Sequence, residues 1–265
     1  MLTMSKPKKY RGITQYLVSD IDTQRADIVL IICGLISGLV DGISFVAWGS
    51  FASMQTGNTV FIALGVSGQP TYPAYLWVKS LVSVSTFMIS NIFFGRFMNF
   101  LGTKRRLTYV ICFMMQSIAL LGASLLVQLH VVSPRPEDPR APIAWNQVLP
   151  ISLLAFQAAG QIVASRALEH DELPTLVLTT LLCDLLIDPH LFRKVNPKRN
   201  RRVACFVTLF MGVMIAGGLF KLTRMSLGLW LAFALKMAIT VSWLFWKGAT
   251  FKDGRDGNQR AGEHV

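Results

Sequence analysis

Blocks of about 20 consecutive apolar residues dominate this chain, and they restrict its fold more than any other feature. They run over roughly 28–49, 74–98, 107–131, 147–168, 203–222 and 226–247. A helix needs about 20 such residues to cross the hydrocarbon core of a bilayer. The pattern therefore predicts an all-α polytopic membrane protein with about six transmembrane helices. Composition agrees. Only 15% of the 265 residues are charged, against about 25% in an ordinary soluble domain, and the mean hydropathy is +0.48. A soluble enzyme and a disordered chain are both excluded. Cys33, Cys112, Cys183 and Cys205 all fall within apolar stretches and lack metal-ligand or redox spacing. They read as buried, inert thiols, and neither metal nor cofactor is expected.

Two further apolar stretches, 51–66 and 174–187, are short for a crossing, and each follows a full-length block. Basic residues decide their fate, because cytoplasmic loops collect Lys and Arg. The clusters are Lys6, Lys8, Lys9, Arg11 and Arg25; Lys104, Arg105 and Arg106; Arg193, Lys194, Lys198, Arg199, Arg201 and Arg202; and Lys247, Lys252, Arg255 and Arg260. All four lie on one side only if neither short stretch crosses, with Lys221 and Arg224 the exceptions. Both stretches then become re-entrant or broken-helix segments; the alternative is a kinked extension of the preceding helix. Both termini are expected to be cytoplasmic, in the plasma membrane or an endomembrane. The net charge of +12 reads as membrane orientation, with no nucleic-acid partner. Polar, acidic sequence follows the first basic residues, so no signal peptide is expected.

This organisation gives a basic tail (1–27), a first membrane repeat (28–131), an external Pro-rich loop (132–146), a second repeat (147–247) and a second tail (248–265). Each half runs long span, short stretch, long span, long span. Three crossings is an odd number, so two such units in tandem must point in opposite directions. An inverted 3+3 repeat of this kind is a recurrent plan of secondary transporters.

Polar residues inside the spans supply the candidate sites. Asp41 and Lys236 each cost a few kcal/mol at membrane depth, and such groups usually face the protein interior. Asp41 suits either a proton- or cation-linked site or a structural pair. Lys236 calls for a counter-charge, with Asp41 preferred over Asp184. Thr56, Gly57, Asn58 and Thr59 form a polar cluster in which Gly57 could interrupt the helix. Thr179 and Thr180 are the counterparts in the second half. Asn91, Gln116, Gln157 and Gln161 could line the same interior. His170, with Glu169, Asp171 and Glu172, reads as solvated interface rather than a metal site. Gly34, Gly38 and Gly42 recur every four residues, which permits close helix contact within the chain or between copies in a homo-oligomer. Ala155 and Ala159, and Gly212 and Ala216, show the same spacing.

Gly38, Asp41, Gly42, Ser44 and Phe45, followed by Phe51 and then Met54-Gln55-Thr56-Gly57-Asn58-Thr59, resemble the signature of the YoaK-like integral membrane proteins. These form the domain of unknown function family 1275, found in bacteria and fungi. The resemblance covers 28–247 and implies about six spans but no activity. Thr179-Thr180 departs from the second Thr-Gly that related chains carry. The Pro-rich loop and basic tails resemble those of fungal members. No catalytic set is recognisable, so an enzyme is not expected. Two functions remain: a secondary transporter or permease for a small solute or ion, with proton coupling through Asp41 as a variant, and a non-transporting scaffold, sensor or assembly protein.

Overall fold

A computed structural model describes residues 12–23, 25–69, 75–133, 144–168, 178–222 and 225–249. Its helices are α1 (Ile13–Val18), α2 (Ala26–Trp48), α3 (Gln55–Val66), α4 (Leu76–Leu101), α5 (Arg106–Gln128), α6 (Val148–Ala167), α7 (Leu178–Leu186), α8 (Pro197–Lys221) and α9 (Met225–Leu244). Among the described residues, six helical segments are long and apolar enough to cross a membrane: α2, α4, α5, α8, α9, and α6 with the 3-10 turn Trp145–Gln147 before it. The fold is all-α; among the described residues the only extended pairing is two isolated bridges. The acidic cluster around His170 and most of the Pro-rich loop lie outside the described residues.

Short-range chemistry sets the helix ends. Gly49 closes α2 in the left-handed region (φ 71°), with its N–H on the Phe45 carbonyl; a residue with a Cβ is strained there. Asn196 caps α8 by accepting the Arg199 N–H at 3.0 Å, and Pro197 occupies the first helical position.

The tightest packing joins α2 to α8, which run parallel. A Cβ at Gly34 would lie 3.1 Å from Thr208 Oγ1, and one at Gly42 would lie 2.7 Å from the Ala216 Cβ. A Cβ at Gly38 would collide with the Leu209 carbonyl, and one at Gly212 with the Leu35 carbonyl. The glycine stripe is therefore consumed within the chain, backbone against backbone. Ala155 and Ala159 are fully buried on α6. The helix α6 also runs parallel to α4, where the Phe94 ring packs on Phe156 (centroids 4.8 Å apart) and against Gly160. The antiparallel pair α5 and α9 meets through Tyr109 and Phe113 on Trp243 and through Ser117 on Thr240.

The stretch 49–66 enters and leaves the bundle at one end. Residues 49–54 fold back along α2, so that Ser53 reaches Asp41, about 10 Å deeper than Trp48. From there α3 climbs antiparallel to α4. Its start lies near Ser83 and its end beside Trp77, level with Trp48, whose carbonyl accepts from Lys79 Nζ at 3.3 Å. Of the second stretch, residues 178–186 form α7, which packs on α8, where Arg202 donates to the Asp184 carbonyl; residues 174–177 lie outside the described residues.

The opposite end from Trp48 carries a clasp. Residues 20–22, assigned to a tail from sequence, lie between two other segments. Ile21 N donates to Lys104 O (3.0 Å) and Asp22 N to Lys247 O (2.9 Å), while Ala249 N donates to Asp20 O (2.9 Å). Arg106 is buried beneath them. It donates to the carbonyls of Tyr16 and Trp246 and stacks 3.8 Å over the Tyr16 ring. Arg201 pairs with Asp27 at 2.8 Å. The described members of all four basic clusters therefore share one end. Single cysteines at Arg25, Ser67, Lys104 and Lys194, in a Cys183→Ser background, test this with a membrane-impermeant maleimide. Positions 25, 104 and 194 should label from one side and 67 from the other. Labelling of 67 together with 25 would mean that α3 crosses.

Candidate functional site

Two buried polar centres lie along one face of α2, which carries Ser37, Asp41 and Ser44 at helical spacing. The first is built on the returning loop. Asp41 Oδ1 accepts the N–H groups of Ala52 (2.9 Å) and Ser53 (2.8 Å), and the Ser53 hydroxyl donates to Oδ2. These donors directly precede α3, so the carboxylate also faces the positive end of that helix. The Ser44 hydroxyl donates to the Ser50 carbonyl at 2.7 Å. Asn58, fully buried, reads Phe51 as a paired strand would. Its Oδ1 accepts the Phe51 N–H at 2.9 Å, and its Nδ2 donates to the Phe51 carbonyl at 2.7 Å. The remaining bonds of Asn58 go to Ser50, Gln55 and Ser83. Non-helical backbone survives at membrane depth only where protein satisfies it, and Asp41 and Asn58 do that here.

Gly57 lies within regular α3 rather than interrupting it. Its contribution is space: a Cβ there would lie 2.9 Å from the Phe51 ring, which stacks on Phe45 at 4.6 Å. Thr56 and Thr59 face outward, and Thr59 Oγ1 bonds its own helix at Gln55 O. Neither lines an interior surface.

The second centre lies where α2, α5, α6 and α9 converge. Lys236 is completely buried, and its Nζ donates to Gln116 Oε1 (3.0 Å) and Gln161 Oε1 (2.6 Å). Gln161 Nε2 turns to Ser37 Oγ (2.7 Å) and Cys33 O (3.2 Å). The expected ion pair with Asp41 does not form, because the carboxylate is occupied by the loop one turn further along α2. Asp184 is also excluded: it sits at the bundle end, 3.9 Å from Arg202. Two amide oxygens replace the carboxylate. An ammonium has three N–H donors, and two are used here among the described residues. One turn before Gln161 on the same face, Gln157 Oε1 is buried with no hydrogen-bond partner among the described residues.

Thr179 and Thr180 are exposed on α7, and residues 169–177, which precede that helix as 49–54 precede α3, lie outside the described residues. Asn91 bonds its own helix at Phe87 O. Cys33, Cys112 and Cys205 are buried, but Cys183 is exposed, contrary to expectation. Sequence reading missed Lys79, which is buried and donates to Gln147 Oε1 as well as to the last turn of α2. The argument that singled out Lys236, an ionisable residue within a span, would have found it. Ser37, Ser53 and Ser83 carry no such signal.

If Asn58 and the glycine seam hold this architecture, their variants should be unstable in a graded way. Asn58→Ala orphans the Phe51 N–H, at about 1–3 kcal/mol, and leaves the Phe51 carbonyl to the Ser83 hydroxyl alone. It should lower the thermal unfolding midpoint in detergent, whereas Thr56→Ala and Thr59→Ala change it little. Gly38→Val should fail to accumulate, while Gly95→Ala, with nothing within 4 Å of its Cβ position, is tolerated. Equal shifts across these pairs would contradict the assignment.

Comparison with known sequences gives one result. No curated protein and no solved structure matches the chain. The family model described as protein of unknown function (DUF1275) matches residues 29–242, a range that contains the Asp41 cradle, the Lys236 centre and most of every spanning helix. The chain belongs to this family.

Proposed function

We propose that this integral membrane protein is a secondary carrier or permease for a small polar solute, rather than an enzyme, and that the solute engages the Lys236 centre. The observation that carries the reading is the spare hydrogen-bonding capacity deep in the bundle. Among the described residues, Lys236 offers an N–H that no hydrogen bond uses and a charge faced by the Phe113 ring at 5.5 Å rather than by a carboxylate, and Gln157 offers an unused acceptor. A buried charge at this depth costs about 3 kcal/mol on insertion scales, and a solute bearing a negative group would offset it. Such a group on Lys236 and a donor on Gln157 would together satisfy what the helices leave open.

Helix arrangement supports the carrier plan. Each helix start recurs about 120 residues later: Ala26 and Val148, Gln55 and Leu178, Leu76 and Pro197, Arg106 and Met225. Exchanging the members of these pairs turns the α2–α8 contact into α6–α4, α5–α6 into α9–α2, and α3–α4 into α7–α8, all of which occur. The α5–α9 contact maps onto itself. This exchange supports an inverted 3+3 repeat, whose axis would pass between α5 and α9, beside Lys236 and Gln116. The shared basic end supports cytoplasmic termini. Proton coupling enters through Asp41 as a latch: a protonated carboxyl would hold the Ala52 and Ser53 N–H groups less strongly and loosen the re-entrant loop.

The non-transporting alternative is favoured by the completeness of the Asp41–Asn58 cradle, in which every named polar group is used internally. Reconstituted protein separates the two. Thermal stabilisation is screened with small carboxylates, phosphate, zwitterionic amino acids and neutral sugars, and hits are followed as labelled uptake into vesicles. A charged hit should stabilise the wild type and be taken up. Lys236→Met should lose both effects; Asp41→Asn should retain binding and alter the pH dependence of uptake. Binding that survives Lys236→Met would move the site elsewhere. A protein that neither binds nor moves any member of the panel would favour the scaffold.

A further inference from the structure

We propose that the connection from the end of α7 into α8 is a membrane-interface anchor that binds the anionic phospholipid headgroups of the leaflet at the basic end. Leu186, Ile187, Phe192 and Val195 are 68%, 70%, 94% and 81% exposed. Such exposure on a spanning helix means lipid contact, but these residues lie on a connection at the bundle end. Exposed Arg193, Lys194 and Lys198 alternate with them. Apolar side chains that insert beside basic ones that remain at the surface are the chemistry of an interfacial anchor.

The segment is rigidly built. Asp188 accepts the His190 N–H (2.8 Å) and Asn196 Nδ2 (2.9 Å), with Arg202 at 3.8 Å. The Asn196 amide, first, and the His190 N–H hold the Asp188 carboxyl below the usual carboxylate range, so this brace persists at neutral pH. Arg199 Nη1 donates to the carbonyls of Leu191 and Arg193 at 2.6 and 2.8 Å. Phe192 is therefore presented outward on a braced loop. Arg201 and Arg202 have carboxylate partners in Asp27, Asp184 and Asp188. Arg193, Lys194 and Lys198 have none among the described residues, and Lys198 adds positive charge at the already positive N-terminus of α8. The complementary occupant is a negatively charged phosphodiester at the same level as the apolar side chains. A lipid leaflet supplies both.

The test uses full-length protein with Cys183→Ser, reconstituted into phosphatidylcholine vesicles with or without phosphatidylglycerol. A nitroxide at Phe192→Cys reports depth by collision with oxygen against an aqueous nickel chelate. Oxygen should dominate, more so with phosphatidylglycerol. Native mass spectra should show phosphatidylglycerol enriched over its bulk fraction. Arg193→Gln, Lys194→Gln and Lys198→Gln together should abolish that enrichment, with about a fivefold loss of affinity for each charge removed, while the unfolding midpoint is retained. A label dominated by the nickel chelate in both vesicles would overturn the proposal. So would dipolar broadening between labels, which would assign the surface to a second copy, or enrichment that survives in the triple variant. Uptake is not read, so these outcomes are independent of the carrier proposal.

Discussion

A chain that turns back inside hydrocarbon must supply its own hydrogen-bond partners, and this requirement organises the first half of the molecule. The loop after α2 exposes the N–H groups of Phe51, Ala52 and Ser53 about two helical turns below the bundle end. Asp41 takes two of them and Asn58 the third, together with the Phe51 carbonyl. Without these side chains the segment would have to straighten into a helix extension or leave the membrane. The motif from Asp41 to Thr59 therefore has a structural meaning in this chain: Asp41 and Asn58 substitute for the missing backbone partners, Gly57 leaves room for the Phe51 ring, and Thr56 and Thr59 face away.

The parallel seams on either side of this loop differ in stiffness. Where α2 meets α8 the backbones touch through Gly38 and Gly212, with no side chain between them to change rotamer. Where α4 meets α6 the contact passes through the rings of Phe94 and Phe156, which can tilt. The Lys236 centre lies between these two pairs, bonded to α5 and α6 and, through Gln161, to α2. Relative movement of the two seams would strain the bonds that Gln161 makes to Cys33 and Ser37.

Much of this was legible in the sequence. Crossing a fixed thickness of hydrocarbon demands a minimum apolar length, so the six spans stand out, as does the inability of 51–66 and 174–187 to join them. The pairing of Asp41 with Lys236 was not legible correctly. Sequence shows that both charges lie in spans, but not that Asp41 is already saturated by its own loop, nor that the two glutamines reach the amine. The clasp at residues 20–22 was invisible for a different reason. Its bonds join main chain to main chain, and any residue other than proline can make them, so nothing in side-chain pattern marks the segment.

That clasp sets an order on biogenesis. Arg106 lies near the middle of the chain, yet one of its acceptors is the carbonyl of Trp246, which is synthesised 140 residues later. Until the last span is in place, this guanidinium lacks one of its final partners, and residues 20–22 have only one of their two neighbours. Closure of this face therefore waits on the last span, and a chain shortened just before Trp246 would display the defect to whatever surveys newly made membrane proteins.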